Sequence, residues 1–252
     1  ITVDSPDSLY LCGASMIPTH NSRWLVHEMA RYHAETGYGA VLFRRTYPEL
    51  TGIGSLWEEC HKIYPMLGAE MIDSRLEAKF PSGSTIKLSH LQHDKDAAKW
   101  QGKSLPAVGF DEATHFTEQQ FWFLLSSLRS ASGVKTRFLC TMNPDPDSWV
   151  LQFVAWYIDD AGFPIKERSG KVRWFGRIDG KLRWFDAEAS AQAAGIESPT
   201  SFTFIAANVF DNAILLKNDK QYLANLRALP PVEQARFLGG NWRVRQAAGD
   251  YF

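Results

Sequence analysis

Leu105-Pro106-Ala107-Val108-Gly109-Phe110 carries no polar side chain and stops on two adjacent carboxylates, Asp111 and Glu112. A short unbroken apolar run of this kind reads as a strand buried on both faces. Such strands belong to parallel sheets, which are covered by helices on each side. The neighbouring segments fit that setting. Ala40-Val41-Leu42-Phe43 is a second buried run, ending in Arg44-Arg45, and Thr136 to Thr141 is a third. Helical spacing fills the intervals. One pattern opens at Ser22, with Trp24, Leu25, Glu28-Met29 and Tyr32, and stops near Gly37. Another runs from Ser55 to Leu67, and a third from Thr117 to Arg129 with Phe121, Leu124, Leu125 and Leu128 on one face. Leu76 to Leu88 predicts a hairpin turning at Pro81-Ser82-Gly83-Ser84. Strands alternating with helices place the chain in the α/β class, with a mostly parallel sheet flanked by helices.

The stretch from Lys171 to Phe185 breaks this rhythm. Two Arg-Trp-Phe runs flank Asp179-Gly180, which reads as a small inserted β-hairpin with a two-residue turn. A strand, Phe202 to Ala206, and a C-terminal helical segment, Lys220 to Leu229 and Pro231 to Leu238, follow. With 45% hydrophobic residues over 252, the chain is rich enough in apolar side chains to bury a core. The formal charge, 27 − 28 = −1, excludes a polybasic nucleic-acid coat but not a local basic surface. Cys12, Cys60 and Cys140 are too few and too scattered for a disulfide framework or a structural zinc site. No apolar run reaches the roughly 18 residues of a membrane span. The non-Met start, Ile1, and the aromatic close, Tyr251-Phe252, lead us to expect a fragment.

Twin acids at a strand tip have a specific use in P-loop ATPases. The first holds Mg²⁺ on the phosphates, and the second orients and deprotonates the attacking water. By itself the pair also fits a solvated turn. The strand ending Cys140-Thr141-Met142-Asn143-Pro144 strengthens the first reading, because Thr141 and Asn143 could sense the γ-phosphate there, although Asn143-Pro144-Asp145-Pro146 also fits a plain turn. The phosphate-binding loop itself, Gly-x-x-x-x-Gly-Lys-[Ser/Thr], does not occur. Gly102-Lys103-Ser104 is a decoy that precedes the acidic strand rather than a helix. At the expected place stands Met16-Ile17-Pro18-Thr19-His20-Asn21-Ser22, with Ser22 at the position of the Mg²⁺-binding hydroxyl and His-Asn in place of Gly-Lys. His-Asn-Ser has its own chemistry. An Asn amide can attack its own carbonyl and break the following peptide bond, a neighbouring His can assist, and a following Ser can accept an acyl group.

Residues 1–21 resemble the C-terminal end of a Hint-type intein. The resemblance implies that Asn21 cyclises, that His20 assists, and that Ser22 is the first extein residue. It also implies an N-terminal intein and extein fragment as partner. The assisting His that many inteins carry near Asp7-Ser8 is not there. Residues 22–252 resemble the large terminase subunit of tailed bacteriophages. The matching runs include Trp100-Gln101-Gly102, Gly109 to Glu118, Leu125 to Ser130, Thr141-Met142-Asn143-Pro144, Phe204 to Ala207, Asp211-Asn212, Leu238 to Trp242 and the closing Gly249-Asp250-Tyr251-Phe252. This implies a P-loop fold of the ASCE or RecA-like type. It implies ATP as substrate, Mg²⁺ held by Asp111 and Ser22, Glu112 as catalytic carboxylate, and Thr141 with Asn143 as coupling motif. An intein inserted inside the phosphate loop explains why that loop is missing. The family setting implies double-stranded DNA, a portal protein and a small terminase subunit as partners, and a homo-oligomeric ring docked transiently on a procapsid in the bacterial cytoplasm, with no membrane. A nuclease domain would follow Phe252.

Arg44, Arg45 and Arg129 are candidates for a charge-stabilising arginine, though an ordinary salt-bridge role at a helix or strand end is the simpler reading of each. The Arg-Trp-Phe hairpin could touch DNA backbone, but an edge hairpin packed by Trp174 and Trp184 is the simpler reading. His90, His93 and His115 do not form a convincing metal set.

Overall fold

A computed structural model describes residues 21–211, 216–217 and 220–246. The expected strands before Ser22, the side chains of His20 and Asn21, and the closing Gly249-Asp250-Tyr251-Phe252 lie outside what is described. The chain divides into two units: the described residues up to Asn143 together with Ser148–Val150, and Pro144–Asp147 with the described residues from Leu151 on.

The first unit is built on a six-stranded sheet, β2-β3-β4-β1-β5-β6. Its members are β1 (Gly39–Arg44), β2 (Glu70–Ile72), β3 (Glu77–Lys79), β4 (Thr85–His90), β5 (Ala107–Asp111) and β6 (Arg137–Thr141). β4, β1, β5 and β6 run parallel, and β2 and β3 add an antiparallel margin. The fold is therefore the mostly parallel α/β sheet expected from the alternation of patterns. The hairpin at Pro81–Ser84 forms between β3 and β4. β2 was not foreseen, because its three residues are too few to show a period.

Helix α1 (Asn21–Met29) lies across β5. Strand parity explains how. Successive residues of a strand face opposite sides, so Ala107, Gly109 and Asp111 share one face. Their lateral neighbours in register are Ala40, Leu42 and then Arg44 on β1, and Arg137, Leu139 and Thr141 on β6. Gly109 lets the helix approach. A Cβ there would stand 2.6 Å from Met29 Cε and 2.8 Å from Leu42 Cδ2. On the opposite face Phe110 stacks on Phe116, with ring centroids 4.0 Å apart, and meets Phe43 and Phe138 edge-on.

α1 ends at Met29, well before Gly37, for a tertiary reason. The last carbonyls of a helix lack intrahelical partners. Here Tyr64 Oη donates to Val26 O, Tyr38 Oη to Met29 O, and Arg137 Nη2 to Glu28 O. Residues 30–37 continue as turns, closed by bonds such as His33 N to Ala30 O. Glu28 and Arg137 also form an ion pair at 2.9 Å, each side chain only 6% exposed, and Arg31 donates to the same carboxylate. Helix α2 (Tyr47–Thr51) follows β1, and α3 (Leu56–Ile63) starts at Ser55, whose Oγ accepts from Glu58 N. Pro65, which lacks an N–H, gives way to a 3₁₀ turn over Tyr64–Leu67, so the predicted helix is shortened. After the short α4 (Asp94–Ala97), α5 (Glu118–Ser126) opens on a reciprocal cap between Thr117 and Gln120. It closes before Arg129, where Ser126 and Ser127 hydroxyls both take Phe123 O.

The second unit carries a three-stranded antiparallel sheet, β8-β7-β9, from β7 (Val172–Ile178), β8 (Lys181–Phe185) and β9 (Thr200–Thr203). The two Arg-Trp-Phe runs do face one another, Trp174 opposite Phe185 and Phe175 opposite Trp184. Asp179 and Gly180, at φ 52° and 74°, make the tight turn. From α6 (Leu151–Val154), Phe153 packs on Phe175, Trp184 and Phe202. Arg173 lies over the rings of Trp156 and Trp184. α7 (Glu188–Ala193) packs against β7 and β8. Two further helices, Lys220–Arg227 and Pro231–Phe237, match the C-terminal helical segment. Trp242, 2% exposed, closes the unit, with its N–H on Gly162 O and Asn241 Nδ2 on Ala161 O.

Two predictions follow from the α1–sheet contact. Gly109→Val keeps strand propensity but intrudes on Met29 and Leu42, and chemical denaturation should show a loss of about 1–3 kcal/mol. Burial raises the Glu28 pKa, but Arg31 and Arg137 outweigh it and leave the carboxyl below its ordinary range. A lowered carboxylate stabilises the fold above its unfolded pKa and loses that contribution as pH falls through the folded one. The stability gap between the parent and Glu28→Gln should therefore be widest near neutral pH and shrink on acidification below pH about 4.

Candidate active site

The next row of the same sheet face forms the site. Arg44, Asp111 and Thr141 end β1, β5 and β6, and the first turn of α1 sits over them. Asp111 is 1% exposed, and a carboxylate so buried requires donors on both oxygens. Its Oδ1 accepts from Ser22 Oγ at 3.0 Å and from Thr141 Oγ1 at 2.5 Å. Its Oδ2 accepts from Arg44 Nε at 2.6 Å and from Arg44 Nη2. Arg44 Nη2 also reaches Ser22 Oγ at 3.3 Å. Ser22, Asp111 and Arg44 close a hydrogen-bonded ring, and Thr141 joins it through Asp111 alone.

Glu112 is treated differently. It stands at φ 59°, ψ 59°, in the left-handed region, and starts a 3₁₀ turn over Ala113–His115. That conformation costs a non-glycine residue about 1–2 kcal/mol. Strained backbone of this kind concentrates at functional positions. Among the described residues its carboxylate is held by Asn143, whose Nδ2 stands 3.4 and 3.3 Å from the two oxygens. Burial and the adjacent Asp111 charge push the Glu112 pKa up, and Arg44, His115 and Asn143 pull against that rise. The site thus pairs a saturated carboxylate with a loosely held one that takes a proton more readily than an ordinary glutamate.

Six of the residues singled out in the sequence come together: Ser22, Arg44, Asp111, Glu112, Thr141 and Asn143. Two do not. Arg45 is spent on Leu91 O and Gln120 Oε1, and Arg129 Nη2 donates to Gly102 O on the exposed surface. Gly102-Lys103-Ser104 is a surface turn, with Lys103 Nζ 4.2 Å above the Trp100 ring and Ser104 Oγ on Arg129 O. His90 meets Tyr47 edge-on and His93 precedes α4. Among the described residues no group of three or more His, Cys, Asp or Glu could hold a metal ion. The Glu28–Arg137 pair, which fixes the far end of α1, was missed. Its members lie 109 residues apart, and neither carries a local signal.

The family model described as "Terminase large subunit, T4likevirus-type, N-terminal" matches residues 22–252. The chain belongs to this terminase family. Among solved structures, a mutant of the large terminase ATPase domain of Thermus phage P74-26 is similar at 15% identity and a TM-score of 0.51, over 88% of this chain and 84% of that one. The large terminase of a thermophilic bacteriophage is similar at 12% identity and a TM-score of 0.51. There the alignment covers 92% of this chain but only 46% of that one. At such identities these likenesses speak for the fold alone, and they agree with the sheet described above. No curated protein matches the chain.

The ring around Asp111 makes a prediction that needs no ligand. Thr141→Val keeps the side-chain shape but removes one donor from a buried charge, and should cost about 1.5–3 kcal/mol in urea denaturation. Thr141→Ser, which keeps the hydroxyl, should cost clearly less.

Proposed function

We propose that residues 22–252 form the ATPase part of a phage DNA-packaging motor, in which ATP hydrolysis is coupled to moving double-stranded DNA into a procapsid. The observation that carries this reading is the 3.0 Å bond between Ser22, in the first turn of α1, and Asp111 at the tip of β5. A hydroxyl at a helix start beside a strand-end carboxylate is the arrangement that holds Mg²⁺ on nucleotide phosphates. The donors fit that ion. Ser22, Asp111 and Thr141 offer hard oxygens, and Mg²⁺ takes one or two carboxylates plus substrate phosphates rather than a full protein cage. Ser22 and Asp111 would hold the ion, which would supply positive charge against that developing on the phosphates.

The chain's own residues do the rest. Ser22 and Asp111 present their oxygens from fixed positions, because Thr141 holds Asp111 from β6. Glu112 accepts a proton from the attacking water at a carboxylate oxygen. Asn143 orients that carboxylate and, two residues past the end of β6, senses the γ-phosphate through it. In this reading the motor acts as a homo-oligomeric ring docked on the procapsid in the bacterial cytoplasm, working with a portal protein and a small terminase subunit, and a nuclease domain follows in the full protein. The longest described helix is far too short to cross a membrane.

The finer organisation is an intein remnant, residues 1–21, ahead of the terminase part. The start of the family match at Ser22, directly after His20-Asn21, favours it. In this second reading the chain is half of a self-processing pair. Asn21 cyclises with help from His20, and Ser22 is joined to an upstream fragment ending in Gly-Lys.

The two readings share one experiment. Mixing the chain with a matching N-intein precursor should give a ligated product by mass spectrometry. Absence of ligation with Asn21 intact refutes the splicing reading. The 252-residue chain alone should hydrolyse ATP negligibly, since it lacks the loop lysine. A protein carrying the complete loop should be active and should lose about 100-fold or more on Glu112→Gln, as expected for removal of a general base. Robust Glu112-dependent turnover by the isolated chain, or an active complete protein indifferent to Glu112→Gln, overturns the assignment.

A further inference from the structure

We infer that Arg44 is an exchangeable counter-cation: it occupies the metal-binding carboxylate while the site is free of nucleotide, and it moves off when Mg²⁺ takes that carboxylate. The inference rests on the reading of Ser22 and Asp111 as the Mg²⁺ ligands.

Arg44 touches the same two groups that the metal would use. Two of its nitrogens converge on Asp111 Oδ2, and Nη2 also reaches Ser22 Oγ. A guanidinium is charged at every accessible pH. A metal ion seated between Asp111 Oδ2 and Ser22 Oγ would need the place that Arg44 Nη2 fills, and their like charges repel at such separations. Arg44 and a metal seated there are therefore mutually exclusive at Asp111 Oδ2.

The surroundings allow the exchange. Arg44 is the last residue of β1, and its side chain is 21% exposed, so it has a way out toward solvent. Arg137, by contrast, is 6% exposed and locked on both the carboxylate and the carbonyl of Glu28. Arg45 is fixed by Leu91 O and Gln120. Asp111 keeps its orientation when Arg44 departs, because Ser22 and Thr141 bind the other oxygen. The released guanidinium stays tethered beside the metal site. There its planar fork suits the oxygens of a bound phosphate. One side chain thus neutralises the carboxylate at rest and a phosphate in the loaded state, which distinguishes Arg44 from Arg45 and Arg129.

The test uses the full 252-residue chain without nucleotide, with Mn²⁺ as a paramagnetic probe counted by electron paramagnetic resonance. Arg44→Gln should bind Mn²⁺ at least ten-fold more tightly than the parent, and Arg44→Lys should stay close to the parent. Equal or weaker binding by Arg44→Gln overturns the inference. Asp111→Asn separates the two readings. If it abolishes Mn²⁺ binding while Arg44→Gln fails to tighten it, only the exchange falls. If it leaves binding intact, the metal assignment falls with it. The unmutated protein gives an independent readout. Its Arg44 Nε–H resonance, identified by its loss in Arg44→Lys, should shift or broaden on saturation with Mg²⁺. A resonance unmoved at saturation overturns the inference even if Arg44→Gln does not fold.

Discussion

Burying the Asp111 carboxylate obliges the structure around it to supply donors. A charge taken out of water without partners would cost more than the whole fold is worth. The donors come from three places far apart in sequence: Ser22 on α1, Arg44 on β1 and Thr141 on β6. Each must arrive on the same face and at the same level of the sheet. Parallel register supplies that. Gly109 pairs with Leu42 and Leu139, so two residues later every strand presents its polar end on the α1 side. Gly109 then sets how near α1 can come, and the Glu28–Arg137 pair anchors its other end. The site is the top row of an otherwise apolar stack.

The two acids at the strand tip divide their work by environment. Asp111 is saturated with donors from Ser22, Arg44 and Thr141. Glu112 sits one residue further on, on strained backbone and, among the described residues, held by long contacts from Asn143. A carboxylate that is partly desolvated and weakly hydrogen-bonded is a better base than one tied down by cations. The left-handed turn matters because a continued strand would send Glu112 to the face opposite Asp111, among Phe110 and its aromatic neighbours.

Much of this was legible beforehand. The buried strands, the long amphipathic helices, the Asp-Gly hairpin and the pairing of acidic and Thr/Asn strand ends all follow from local periods and turn chemistry. Elements of three to six residues, β2, α2, α4, α6 and α7, were not, since so short a segment shows no period. Helix ends were overshot where tertiary partners took the terminal carbonyls, as Tyr38, Tyr64 and Arg137 do for α1. The choice among Arg44, Arg45 and Arg129 was equally closed to sequence. All three are arginines near strand or helix ends, and only the face covered by α1 decides between them.

The sequence by itself determined the α/β class and the chemical types at the strand tips, because those depend on residues a few positions apart. The tertiary structure alone decided that Arg44 shares Asp111 with Ser22, and that Glu28 on α1 meets Arg137 on β6. Those contacts join segments that become neighbours only after parallel strands have set their register, and no local pattern encodes that register.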